Sequence, residues 1–357
     1  VNRTLTRFQR RARALLIAGL LAAAPAWAER VVTDMAGRQV HIPDQVHKVY
    51  AVGHCVPAVA AVAPDKLANN GRLPAAAARY LAPAFLAGKA VPKAGMRFSD
   101  EEILRMAPDL VVMETMPGAA DQAARLEAKL RVPVLLIDQD LLRFKQTFAF
   151  LGEVLGRPEQ AQALAGFVAT YIDPIGSKAR IIPVAKRVRV YYAEGPDGLS
   201  TNPAGSSHTQ VLDYVGGINA ARVANLPDEG MAKVSLEQLY LWRPDRILVW
   251  TPAADQLTTW HAVVDGPLWQ RLDAVKAGRV SQIPWLPYSW FDRPPGSNRI
   301  LGVLWLANLL YPEVFPFDMV AVTREYFRLF YHADLSAADA RYLLGLATPA
   351  AAAEPSR

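Results

Sequence analysis

The chain has 357 residues, 52% of them hydrophobic, a single cysteine and a formal net charge of +6. Five basic residues, Arg3, Arg7, Arg10, Arg11 and Arg13, crowd its start, so the remainder carries only about +1, which gives no reason to expect nucleic acid as a partner. One cysteine excludes an internal disulfide, and a chain this long supports two domains rather than one.

The arginines lead into the apolar run ALLIAGLLAAAPAW and then AWA ahead of Glu29, the three-part pattern of a secretory leader, with cleavage expected after Ala28. A periplasmic protein is expected, free rather than lipid-anchored, because the cysteine that anchoring needs is absent from the cleavage point. Beyond the leader, RVVTDMAGRQVHIP reads as a hairpin around Gly37, HKVYAVG as a strand and VPAVAAVAP as a helix. From Ser99, SDEEILRMAPDLVVM carries a capping box (Ser99 with Glu102), a short helix stopped by Pro-Asp, and an apolar run with the length of a buried parallel strand. The helix AADQAARLEAKLR and the strand VPVLLID follow, and then a long helical stretch broken at Gly156, Arg157 and Pro158. The second half repeats the alternation with the strand RVRVYYA, the helix GSSHTQVLDYVGG, and SLEQLYLWRPDRILV from Ser235. The last of these restates cap, helix, Pro-Asp and strand at the spacing found from Ser99. AGRVSQIPW reads as a further strand, and three helices close the chain before the tail TPAAAAEPSR.

The fold class is therefore α/β: two similar αβ lobes with mainly parallel sheets, joined by one long helix, with a ligand cleft between them. The expected divisions are a leader over 1–28, an N-terminal lobe over 29–157, and a connecting helix over 158–182. A C-terminal lobe with the closing helices follows over 183–347, then a frayed tail over 348–357.

Cleft residues should lie just after strands or ahead of helices. His54 and Cys55 follow the first strand of the first lobe; a thiol beside an imidazole suits a soft metal, and Cys55 equally suits a small buried hydrophobe. Arg97 precedes the first capped helix, and Met116 follows its strand. In the second lobe, YYAEGPDGLSTNPAGSSHTQ offers Tyr192, Glu194 and His208. PWLPYSWFDRPPGSNR interleaves Trp285, Tyr288, Trp290 and Phe291 with Asp292, Arg293 and Arg299, and its prolines rule out a core strand. Rings beside guanidinium groups suit a flat, partly apolar anion, or else an aromatic plug that stiffens the loop.

The segments TDMAGRQVHIP, EEILRMAPDLVV, LGEVLGRPEQAQAL, LDYVGGINAA, VSLEQLYLWRPDRILV, PLWQRLDAVKAGRV and WLANLLYPEVF resemble the periplasmic substrate-binding proteins of ABC importers for iron-siderophores, haem and cobalamin. The resemblance implies a monomeric receptor, without catalytic residues or cofactor, that captures a metal chelate and hands it to a transmembrane permease. A compact oxyanion of molybdate type or a nickel complex is the alternative on the same fold. It further implies that Glu101 and Glu237, matched positions in the two repeats, dock the permease, and that Arg97 contacts ligand. An acid in a first helical turn is also favoured by the helix dipole alone. An enzyme is the competing class, but GxSxG, HExxH, GxxxxGK[ST] and a strand-following GxGxxG are all missing, and the six histidines are scattered.

Overall fold

In the computed structural model, which describes residues 29–71, 73–90, 98–224, 231–251, 257–293 and 295–347, two parallel sheets organise the chain. The leader, the tail and Arg97 lie outside the described residues. Strands β1 (Glu29–Thr33) and β2 (Gln39–Pro43) form the expected antiparallel hairpin, turned at Gly37 with φ +82°. The buried Asp34 carboxylate takes the backbone N–H groups of Ala36, Arg38 and Leu136, which seats the hairpin against the first lobe. Then come β3 (Val49–Ala51), α1 (Val56–Val62), α2 (Asp100–Met106), β4 (Leu110–Glu114), α3 (Ala119–Leu130) and β5 (Val134–Ile137). The sheet order is β3-β4-β5, all parallel.

The connection is helical over α4 (Phe144–Leu155), α5 (Pro158–Phe167), a π turn at Val168–Ile172 and α6 (Asp173–Arg180), broken once where Gly156 takes φ +64° ahead of Pro158. The second lobe follows with β6 (Arg189–Ala193), α7 (Gln210–Tyr214), β7 (Ile218–Asn219), α8 (Leu236–Trp242), β8 (Arg246–Val249), α9 (Thr258–Asp265) and β9 (Val280–Gln282). Its sheet runs β7-β6-β8-β9, again parallel throughout.

The two repeats fold alike down to their hydrogen bonds. Ser99 and Ser235 each accept from the N3 backbone N–H, and Glu102 and Gln238 answer to the cap N–H, completing both capping boxes. Both helices end on a left-handed residue, Ala107 and Arg243, each at φ +48°. The following proline cannot extend the helix. The aspartate after it then stitches the turn to the neighbouring strand: Asp109 accepts from the N–H groups of His47 and Lys48, just ahead of β3, and Asp245 from that of Arg189, the first residue of β6.

Alternation along the strands sorts side chains between layers. Leu110, Val112, Val190, Tyr192 and Leu248 enter one apolar core that runs through both lobes, α1, α4, α5 and the closing helices. Val111 and Met113, and likewise Tyr191, Ile247 and Val249, face outward beneath each lobe's own helices. Helix α10 (Asn298–Leu310) is buried along most of its length within the shared core.

Helices α11 (Met319–Phe330) and α12 (Ala337–Leu343) return to the first lobe, while Tyr326 of α11 also donates to the Ser297 carbonyl at the start of α10. Phe330 packs edge-on to Phe148 and Phe167, Phe327 meets Tyr80, Ala82 donates its N–H to the Tyr331 carbonyl, and Arg79 pairs with Asp339 at 2.5 Å. The lobes are therefore joined twice, by the α4–α6 connection and by the chain's return.

The closest approach in this frame is at Gly302, where a β-carbon would stand 1.7 Å from the Trp290 carbonyl oxygen. Gly302→Ala should lower the unfolding free energy in urea by about 2 kcal/mol or more, the cost of overpacking against backbone. Unchanged stability would mean that the Trp290 segment yields freely.

Candidate functional site

The carboxyl ends of both sheets deliver polar side chains, as expected of open parallel sheets. From the first lobe come His54 after β3, Glu114 at the end of β4, and Gln139 and Asp140 after β5. The Nδ1 of His54 lies 3.2 Å from Glu114 Oε2, and Gln139 donates to the His54 carbonyl at 3.0 Å. From the second lobe come Glu194 after β6, Trp250 after β8, and, from the intervening loops, Asn202, His208, Asp292 and Arg293.

Arg299 joins the two sets. Only 2% exposed, it donates from Nη2 to the Gln139 carbonyl at 2.5 Å, from Nη1 to Gln210 Oε1 at 2.7 Å, and from Nε to the Gly296 carbonyl at 3.4 Å. Gln210 in turn donates to Asp140 at 2.7 Å. Burial depresses the guanidinium pKa, while the carboxylates of Asp292, Asp140 and Glu114 oppose that shift. Expected as a ligand contact, Arg299 instead spends its donors tying the first lobe to the second.

The second-lobe groups form a compact ionic cluster. Arg293, held at φ +50°, places Nη1 2.8 Å from Glu194 Oε1 and against Asp292 Oδ2, with its guanidinium 5.4 Å from the centre of the Trp250 ring. Asp292 also receives His208, Nδ1 to Oδ1 at 2.7 Å, and Glu194 accepts from Asn202 at 2.6 Å. Both carboxylates are fully buried, whereas Arg293 and His208 reach solvent. Burial pushes the Glu194 carboxyl up to about 7 in spite of the pull of Arg293. Each histidine thus presents Nδ1 to a carboxylate, which fixes the proton there and leaves Nε2 for another partner.

The aromatic segment behaves as the plug. Trp290 is 1% exposed and donates its indole N–H to the Leu286 carbonyl; Tyr288 and Phe291 are buried with it, and Tyr192 packs its ring 4.7 Å from Phe291. Burial first, and then Glu194 and Asp292, push the Tyr192 hydroxyl far above its ordinary range. Trp285 is only partly buried and packs on the shared core. Of the expected contacts, the structure brings together His208 and Arg293 at a solvent-reaching face, with His54 on the first lobe's strand ends, and encloses Tyr192, Tyr288, Trp290 and Arg299. Met116 is exposed. Sequence reasoning did not select Glu114, Gln139 or Gln210. The signal for Glu114 is its place at a strand's carboxyl end. Glu101 and Glu237 occupy matching N2 positions, both exposed, and Glu101 approaches Arg105 no closer than 3.9 Å.

Cys55 proves to be the small buried hydrophobe. Its thiol is enclosed, and burial together with the nearby Glu114 charge drives its pKa well above the usual range.

A family model described as periplasmic binding protein matches residues 43–285. The chain is 26% identical over 349 residues to the molybdate-binding protein MolA of Haemophilus influenzae, covering 89% of this chain and 96% of that protein. A solved ABC transporter solute binding protein from Sulfurospirillum deleyianum shares 27% identity at a TM-score of 0.79, over 89% of this chain and 99% of its own. A periplasmic solute binding protein from Veillonella parvula has the same fold, with a TM-score of 0.71 at 24% identity over 89% of this chain and 98% of its own.

Cys55 should resist an aromatic disulfide reagent in the native protein at mildly alkaline pH and react fully once denatured. Rapid native labelling would contradict its enclosure.

Proposed function

The chain belongs to the periplasmic binding protein family, the solute-binding proteins of ABC importers, and from that premise we propose that it is exported to the periplasm and captures a compact oxyanion of molybdate type between its lobes. One observation carries the choice of ligand. Solvent-reaching groups at the strand ends include the polar His54, Glu114, His208 and Arg293, while Tyr288, Trp290 and Phe291, rings a flat chelate would stack on, are packed into the core. Arg293 offers a fork of donors to oxyanion oxygens, and His208, fixed by Asp292, offers its other ring nitrogen. The likeness to a molybdate-binding protein over most of both chains supports the same class.

A metal chelate, a ferric siderophore, haem or corrinoid, is the second reading. It is favoured by Trp250 and Trp285, which keep part of their faces open, the former beside Arg293. Quenching of intrinsic tryptophan fluorescence separates the two. Molybdate and tungstate should saturate the signal with sulfate much weaker, and Arg293→Ala should weaken binding by about tenfold or more, the loss of a charge-assisted pair. Saturation by a ferric hydroxamate or haem, with no response to molybdate, would select the chelate.

Glu101 and Glu237 are the proposed permease contacts, because two exposed carboxylates at equivalent points of related lobes suit a paired set of basic sites. Reversing both, Glu101→Arg with Glu237→Arg, should abolish import while leaving ligand affinity within about twofold, since neither residue joins the strand-end cluster. Import that survives the double change would remove the docking role.

A further inference from the structure

The cluster around Arg293 has a charge balance that an anion site does not by itself require. Facing Glu194 are Tyr192 from its own strand, Asn202 from the following loop, His208 from the turn before α7, and Asp292 and Arg293 from the proline-rich segment. Two fully buried carboxylates therefore flank one guanidinium. Both carboxylates meet the same nitrogen of Arg293, Nη1. An incoming oxyanion would meet a guanidinium whose Nη1 is held between two buried carboxylates, with the enclosed Arg299 also within electrostatic reach of Asp292.

We propose that Glu194 sets the charge selectivity of this site by taking up a proton from solvent when an oxyanion binds, which frees Arg293 to turn its donors to the ligand. The proposal rests on the oxyanion reading of the ligand. Glu194 acts through Arg293 and is a positioning residue. Asp292 is held by His208 Nδ1 and by Arg293.

The direction of the linkage follows from the surroundings. Burial pushes the Glu194 carboxyl up to about 7, against the pull of Arg293. Binding withdraws its cation and sets an anion nearby, and both changes raise that value. Below about pH 7 Glu194 is largely protonated before ligand arrives, so affinity is level. Above it each binding event takes up close to one proton, and affinity falls by up to about tenfold per pH unit.

Isothermal titration calorimetry of the full chain with sodium molybdate, run between about pH 6 and 9 in buffers of different ionisation heat, counts that proton directly. Uptake rising from near zero at the acidic end towards one at the basic end, with affinity falling in step, is the expected result. Binding without proton exchange, or with proton release, would overturn the proposal and leave the oxyanion reading intact; no binding heat from molybdate or tungstate at any pH would overturn both. Glu194→Gln, which preserves shape and the acceptor for Asn202, should bind with an affinity flat across the range and no proton uptake. A pH slope that persists in Glu194→Gln and vanishes in His208→Gln would assign the proton to the imidazole and overturn the role of Glu194. The wild-type proton count stands even if a variant fails to fold.

Discussion

A charge taken out of water has to find its hydrogen bonds inside the protein, and Arg299 finds them on two sides at once. Its guanidinium is enclosed, and its donors end on a backbone carbonyl of the first lobe, on a side chain of the second and on its own loop. An unpaired buried guanidinium would cost several kcal/mol, so the three acceptors must stay in place together. That requirement fixes the carboxyl end of β5 against the start of α7 and the entry to α10. His54 is positioned relative to that frame, because its carbonyl accepts from the Gln139 side chain while the Gln139 carbonyl accepts from Arg299.

The apolar core reinforces the same geometry. A single cluster threads the lobes through α1, α4, α5, α10 and α11, and the chain returns to the first lobe after building the second. Two crossings and a shared apolar core tie the lobes to one another.

Most of the fold was legible because its signals are local. Ser99 with Glu102 and Ser235 with Gln238 announce helix starts, Pro108 and Pro244 announce stops, and the apolar runs after them have no place except in a covered parallel sheet. The destinations of α11 and α12 were not legible, because an amphipathic pattern specifies which face is buried and not what covers it. The candidate site was read less completely for a related reason. Proline content identified 284–299 as a non-strand segment, but period-based reading has no power where there is no period, so nothing told Trp290, which faces the core, from Arg293, which faces out. Arg299 has the composition of a ligand contact and the burial of a tie, and only the three-dimensional acceptors distinguish the two.

The arrangement of charge around Arg293 also bears on how such a site stays folded when empty. A lone guanidinium beside an apolar plug would be partly desolvated without compensation, and Glu194 and Asp292 supply that compensation from behind. Glu194 and Asp292 lie beneath the solvent-reaching face of Arg293, and their counter-charge balances a guanidinium that the neighbouring plug partly removes from water.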